Sequence, residues 1–487
     1  MTQITPATFH LSPSVTETVC GTDTERPGEL SVLPREMSRT AMETRRAVRT
    51  LVTALAALGV AALLAAGVTP GADASPSTAT GARTSTDRPV LYPRPVEQPL
   101  PSIGVALERP VVQPDYRFLS SPDFMNSDIA DVSKLRTWHR GLPNSWNSSY
   151  AATVDTILDT FESEAPEDVF VAGDLVEGHW VSDDDRTGLF GPARTHAQRK
   201  AAIRRAADFY FSEWRKRFDQ RGLPVYAAVG DHDIGDNPWR GGGNAEENRF
   251  KRDNVELFKA SFSRKVIAPN RVPDRPRGPA HDTAYATYVD PEVLLVTVDV
   301  FEHTKRNVVA HLDRAQLAWL DRTLASAERR GTDWIVVQGH VPVLKPVRIY
   351  GSSAMYYRGG AGSAFWRTMA RHHVDLYLDG EVHDISVRRR DGITQISHGG
   401  TIQMASAGGY GSTNYLLGEV FGDTMFLRDH RFAPKMIDFS KRLWQVGQSH
   451  RPVVRKEVWD RPLAVGHLVL TSDNQVQYSD GALIPLS

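Results

Sequence analysis

From residue 114 onward, short apolar runs alternate with longer amphipathic stretches. The runs Tyr116 to Ser120, Asp168 to Ala172, Val225 to Val229, Val293 to Val298, Trp334 to Gln338 and Val374 to Leu378 are too short for helices. They are rich in Val and in Ile, Leu or aromatic residues, which predicts buried strands. Between them, Tyr150 to Glu164, Ala197 to Arg221 and Arg314 to Arg329 read as helices, the last carrying Leu317, Leu320 and Leu324 at helical spacing. Strand and helix alternating in this way is the pattern of a layered α/β domain. Segments 384 to 398 and 413 to 428 instead predict antiparallel strands around Arg390-Asp391-Gly392 and Gly422-Asp423 turns. No internal repeat is present.

The ends of the chain read differently. Arg45, Arg46 and Arg49 precede an uncharged Ala/Leu-rich run from Leu51 to Val68, followed by Ala72-Asp73-Ala74. This is the pattern of an export signal cleaved after Ala74, or of a retained N-terminal anchor, since the run is just long enough to cross a bilayer. Thr44-Arg45-Arg46 resembles a twin-arginine signal, and the expected location is secreted or cell-surface. Residues 1–36 are a leader of uncertain status, Met37 or Met42 being alternative starts, and 37–74 form the signal or anchor. Residues 75–110, rich in Ser, Thr, Pro and Gly, are expected to be a linker. The main domain would occupy 111–432. Residues 433–487 form a C-terminal β extension with a hairpin around Ser472-Asp473-Asn474, either a last layer of the same domain or a small appendage.

Composition narrows the class without naming it. With 487 residues, 41% of them apolar, the chain can bury a large core. Its 57 basic residues nearly balance 58 acidic ones, so general nucleic-acid binding has no electrostatic basis. Any membrane contact is expected only through the N-terminal anchor. The single Cys, Cys20, precedes the signal, so an exported product would contain neither disulfides nor thiolate ligands.

Five short motifs stand where apolar strands meet loops: SPDFMNSD at 121, GDLVEG at 173, GDHD at 230, GHVP at 339 and GEVH at 380. Together they place Asp, Glu and His where they could converge. In this order, over about residues 114 to 430, they resemble the calcineurin-like metallophosphoesterase superfamily, whose pattern is DxH, GDxxD, GNH(D/E), GH and GHxH. The resemblance implies an α/β fold, a four-layer α-β-β-α sandwich of two mixed sheets. It also implies two divalent metal ions, Mn, Fe or Zn, and hydrolysis of a phosphomonoester or phosphodiester by a metal-activated hydroxide.

On that resemblance Asp174 bridges the two ions. Site one takes Asp123, Asp174 and His383, and site two takes Asp174, Asp231, His340 and Glu381. His232 would donate a proton to the leaving group, with Asp233 fixing its tautomer. Three blocks depart from the pattern. Asp231 replaces an Asn and remains a competent ligand for a hard cation. Glu381 replaces a His, making site two oxygen-rich and favouring manganese or iron over zinc. Met125 replaces the His of the first block, and a thioether is a poor ligand for such ions, leaving Asn126, Asp128 or Glu177 as a fourth donor to site one. The first block is similar to that of purple acid phosphatases, which also lack this His and carry a Tyr at the offset Glu177 occupies.

Other features are read more plainly. His179 and Trp180, together with His398, are expected to line the cleft and contact substrate. Arg388-Arg389-Arg390 reads as an exposed strand and turn, Gly241-Gly242-Gly243 as a flexible excursion, and Asp183-Asp184-Asp185 as a solvated acidic loop. The substrate, a phosphorylated small molecule or polymer, is set by loops 178–200, 233–282 and 341–365, whose sequences carry no transferable code. The alternative to an enzyme is a non-catalytic binding module with a degraded metal site.

Overall fold

The computed structural model describes residues 102–105, 108–124, 128–142, 144–146, 148–183, 186–238, 245–304, 306–345, 355–400, 413–432 and 462–486. The expected signal, the leader, Met125, Asn126 and Gly241-Gly242-Gly243 lie outside them. Among the described residues no helix is long and apolar enough to cross a membrane.

Sixteen strands are named here in chain order: β1 Ser102–Gly104, β2 Tyr116–Ser120, β3 Asp168–Ala172, β4 Val225–Ala228, β5 Tyr285–Asp290, β6 Val293–Thr297, β7 Phe301–His303 and β8 Val308–Ala310. They continue with β9 Trp334–Gln338, β10 Leu376–Asp379, β11 Ser386–Arg390, β12 Ile393–Ser397, β13 Asn414–Phe421, β14 Thr424–Arg431, β15 Leu463–Thr471 and β16 Val476–Gly481. Among the described residues the α-helices are α1 Ser148–Ser163, α2 His196–Asp219, α3 Ala245–Arg252, α4 Val255–Phe262, α5 Arg314–Arg330 and α6 Ala364–Arg371.

One sheet has the order β1-β16-β15-β14-β13-β2-β3-β4 and the second β11-β12-β10-β9-β6-β5, while β7 and β8 form a separate hairpin. Both sheets are mixed. The pairs β2–β3 and β3–β4 are parallel in the first, as are β6–β9, β9–β10 and β10–β12 in the second. Antiparallel strands extend one side of the first parallel core and both sides of the second.

The apolar runs work because strands alternate sides. On β6, Val293 and Leu295 belong to the cluster shared by the two sheets, together with Phe118, Phe170, Val336, Leu378 and Leu416. Leu294 and Val296 point the other way, into the cluster that also contains Leu320 and Leu324 of α5 and Phe365 and Met369 of α6. On the far side, Val169 and Val171 of β3 join Ile157 and Phe161 of α1 and Phe211 and Trp214 of α2. The layers are therefore helix, sheet, sheet, helix. Burial on both faces is why these strands read as continuous apolar runs.

The helix limits have local causes. Thr195 and Gln198 form a reciprocal capping box at the start of α2. Asp313 caps α5, which stops at Gly331 in a left-handed conformation.

One boundary differs from the sequence reading. The stretch expected to be only linker contains β1, which pairs with β16. The C-terminal hairpin forms at the expected turn, and of the two expected placements it takes that within the domain, since β15 pairs with β14 and extends the first sheet. Short polar edge strands such as Ser102–Gly104 carry no apolar periodicity to announce them.

Candidate metal centre

Asp123, Asp174 and Asp231 follow the carboxyl ends of β2, β3 and β4, and His340, Glu381 and His383 follow those of β9 and β10. Side chains from two facing sheets therefore meet at one end of the sandwich, where parallel strands commonly present ligands.

The cluster around His340 is the tighter. Its Nε2 lies 3.3 Å from Asp174 Oδ1, 3.2 Å from Asp231 Oδ1 and 3.1 Å from Glu381 Oε2. On the opposite side of the ring, Nδ1 is 2.8 Å from the carbonyl of Ala172 and donates to it. That bond leaves the Nε2 lone pair facing the carboxylates, the tautomer a metal ligand needs. The second cluster contains Asp123, Asp174 and His383, with His383 Nε2 3.4 Å from Asp123 Oδ1.

Several of these atoms are buried and face only one another. Both oxygens of Asp123, Oδ1 of Asp231 and Nε2 of His340 have no hydrogen-bond partner outside the two clusters among the described residues. Buried groups left in this state cost free energy unless something else compensates them. Four carboxylates and two imidazoles sharing one bridging Asp suit two divalent cations in charge and in donor type.

The electrostatics point the same way. Burial, with repulsion from Asp231, pushes the Glu381 carboxyl up to about 7. Burial also raises Asp174. At His340 burial alone would lower the pKa, but Asp174, Asp231 and Glu381 outweigh it and hold it well above the ordinary value. At His383, Asp123 likewise outweighs burial. Without a cation, the carboxylates hold protons on the imidazoles.

Backbone geometry shows what convergence costs. Asp123, Asp174, Glu381 and His383 have φ of 64°, 57°, 65° and 57°, a region that residues with a Cβ rarely enter. Two glycines make the approach possible. A Cβ on Gly173 would lie 2.5 Å from His340 Nδ1, and one on Gly230 would overlap Asp174.

Beside these clusters lies a third acidic and imidazole group, Glu177, His232 and Asp236. His232 Nδ1 is 3.1 Å from Glu177 Oε2 and 3.1 Å from Asp236 Oδ1, while Nε2 is 3.9 Å from Asp174 Oδ2 and 3.4 Å from Asn237 Nδ2. One edge of the ring is held and the other faces the bridging Asp. Burial opposes protonation of His232, but Asp174, Glu177 and Asp231 outweigh it and raise its pKa well above the ordinary value.

The expected tautomer partner is corrected here. Asp233 is fully buried and accepts from the backbone N–H groups of Asp174, Leu175, Val176 and Gly230, at 3.1, 2.9, 3.1 and 2.8 Å. It shapes the two loops that carry Asp174 and Asp231. Glu177 and Asp236 hold His232 instead.

The candidate fourth donors are also placed. Glu177 groups with His232 and Asp236 rather than with Asp123 and His383. Asp128 accepts from Glu177 N at 3.2 Å and from Trp180 Nε1 at 2.8 Å, so it braces the second loop.

The expected cleft-lining residues do not line it. Trp180 is buried and stacks between Tyr210 and Phe258. His179 has both ring nitrogens engaged, Nδ1 with Asp236 Oδ2 and Nε2 with Glu247 Oε1 at 2.8 Å. His398 is fully buried, with Nε2 2.8 Å from Ser120 Oγ and Nδ1 3.3 Å from the carbonyl of Ile396. Burial lowers its pKa to about 4, so it is a neutral core histidine.

Sequence reasoning missed Asp236, Asn237 and Glu247. The available signal was GDHDIGDN itself, whose last two residues are of the types that tolerate left-handed backbone and adopt it here at φ 57° and 55°.

PhoD aligns at 13% identity over 80% of this chain and 74% of its own, with a TM-score of 0.44. GAP50, the anchor in the inner membrane complex of Plasmodium, aligns at 13% identity over 70% of this chain and 89% of its own, with a TM-score of 0.35. A putative 5'-nucleotidase from Staphylococcus aureus aligns at 11% identity over 70% of this chain and 55% of its own, with a TM-score of 0.30. No curated protein matches the sequence. Residues 129–384, slightly more than half of the chain, match the calcineurin-like phosphoesterase family model. That segment supplies Asp174, Asp231, His340, Glu381 and His383, and the chain belongs to the calcineurin-like phosphoesterase family.

Proposed function

We propose that the protein is an exported, metal-dependent hydrolase of a phosphomonoester or phosphodiester. The observation that carries this reading is the convergence of Asp123, Asp174, Asp231, His340, Glu381 and His383, their buried donor atoms turned on one another, beside the His232 edge that faces Asp174. Site one would be Asp123, Asp174 and His383, and site two Asp174, Asp231, His340 and Glu381. When bound, two divalent ions, Mn or Fe before Zn, would neutralise charge on the phosphoryl oxygens and acidify a water.

The chain's own groups supply the remainder. Asp174 joins the two clusters, and the Ala172 carbonyl fixes the His340 ring. Asp233 holds both ligand loops through four backbone bonds. His232, gripped at Nδ1, presents Nε2 where a leaving oxygen would depart and gives it a proton as the P–O bond breaks. Export follows from the Arg-flanked apolar run, and secreted material should begin near Ser75.

The test is metal content of the gently purified protein together with turnover of p-nitrophenyl phosphate and bis-p-nitrophenyl phosphate under manganese, iron or zinc. Stoichiometric metal with turnover of either ester supports the reading. Absence of stoichiometric metal under every supplementation would favour the binding module with a degraded site.

A further inference from the structure

Behind His232 lies a chain of paired side chains that reaches away from the metal clusters. Asp236 Oδ1 is 3.1 Å from His232 Nδ1, and its other oxygen, Oδ2, meets His179 Nδ1. His179 Nε2 is 2.8 Å from Glu247 Oε1, and that oxygen is 3.4 Å from Lys251 Nζ. The chain closes on itself, because Lys251 Nζ donates to the Asp236 carbonyl at 3.0 Å. Three separate segments contribute: the loop after β3 brings His179, the loop after β4 brings Asp236, and one face of α3 brings Glu247 and Lys251 four residues apart.

The arrangement is costly in two ways. Lys251 is 2% exposed and His179 8% exposed, so a cation and an imidazole have been taken from water. Asp236 and Asn237 are consecutive left-handed residues, a backbone state that persists only where its surroundings hold it. A solvated turn could place Asp236 near His232 without either cost. What the pairing adds is a defined Asp236 side chain, and through it a defined imidazole plane.

We propose that His179 and Asp236, braced by Glu247 and Lys251 of α3, form a positioning clamp that sets the orientation of His232 toward the leaving group of the ester. The proposal rests on the reading of His232 as proton donor. His179 then acts at a distance, by holding Asp236, and touches neither substrate nor ion. A rotated His232 would still lie beside Asp174 but would no longer aim Nε2 along the departing P–O bond, and small misplacements of this kind cost rate rather than binding.

The experiment compares His179→Ala, His179→Asn and Asp236→Asn in two backgrounds, the parent and His232→Ala, on esters that differ in their need for a proton. p-Nitrophenyl phosphate has a stable leaving group, whereas an alkyl phosphate such as glycerol phosphate must have its leaving oxygen protonated; the corresponding diesters serve if only diesters turn over. The clamp predicts that His179→Ala lowers kcat on the alkyl ester about tenfold, with KM and metal content unchanged and a smaller effect on the aryl ester. His179→Asn, which keeps a donor facing Asp236, should recover most of that loss. In the His232→Ala background, His179→Ala should have no further effect on either ester.

Equal losses on both esters, or losses that persist when His232 is absent, would show a general structural role and overturn the clamp. If His179→Ala does not fold, Asp236→Asn, close in volume, carries the same comparison with the same outcomes. A parent that binds metal yet turns over no ester overturns the proton-donor reading itself, and the clamp with it; an active parent with additive variants overturns the clamp alone.

Discussion

Two neighbouring groups of acids and imidazoles occupy the same end of the sandwich, and hydrogen-bond satisfaction separates them. In the first, Asp123, Asp231 and His340 present buried atoms whose contacts are with other members of the group. In the second, Glu177, His232, Asp236 and His179 contact one another edge to edge. Either group has enough donors within reach of a common point to hold an ion. The first has donor atoms that face only other members of the group, whereas the second passes its contacts outward to Glu247 and Lys251. Buried ligand-type atoms turned on one another call for a cation, and those tied into a wider network fix a side chain.

The sharpest test of that contrast is Asp174→Asn. Removing the shared carboxylate should cost both ions and on the order of 10³-fold or more in turnover, read by metal analysis and kinetics on one preparation. If the variant is as active as the parent, the first group is not a catalytic metal site.

His232→Ala probes the second group. Metal content should stay at the parental level while kcat falls by about 10²-fold on an ester with a poor leaving group. Loss of metal from this variant would merge the two groups and remove the distinction between them.

Glu177→Gln should have a smaller effect, about tenfold in kcat with both ions retained, because its carboxylate lies on His232 Nδ1. Selective loss of one ion would instead make Glu177 the missing donor to site one. Within the first group, Glu381→His restores the family residue and should shift metal preference toward zinc, seen in competition between zinc and manganese.

His398 sharpens the comparison from outside both groups. Like His340 it is fully buried beyond a strand end, yet both its nitrogens have partners in the core. Its folded pKa of about 4 is below the ordinary value, so the unfolded chain binds more protons between about pH 4 and 6.5. Its contribution is fully present above pH 6.5 and is lost as pH falls toward 4. Over that window it accounts for up to about 3 kcal/mol of acid sensitivity. Urea unfolding from pH 4 to 8 should give a shallower acid limb for His398→Asn than for the parent; identical slopes would mean that His398 is not held neutral.

The sequence by itself determined the central strands, the long helices and the strand-end acids and imidazoles that the fold brings together in the first group. Trp334 to Gln338 matches β9 residue for residue, and Val374 to Leu378 falls within two residues of β10. These were legible because double-sided burial writes a continuous apolar run, and because Gly next to Asp, Glu or His at the end of such a run is an unusual local composition. The short helices α3, α4 and α6 and the edge strand β1 left no comparable pattern, since their packing faces are brief and are completed by distant segments.

Only the tertiary structure decided which acids and imidazoles pair with each other. Asp233 is next to His232 in the chain but bonds the backbone of the Asp174 loop, while Glu177, 55 positions away, lies against the His232 ring. His340 and His398 share a strand-end context in sequence and differ in what the folded chain places around their nitrogens. A side chain's type and position along a strand state what it can bind. Whether its atoms are already satisfied depends on segments brought together from across the chain, and that is a property of the fold.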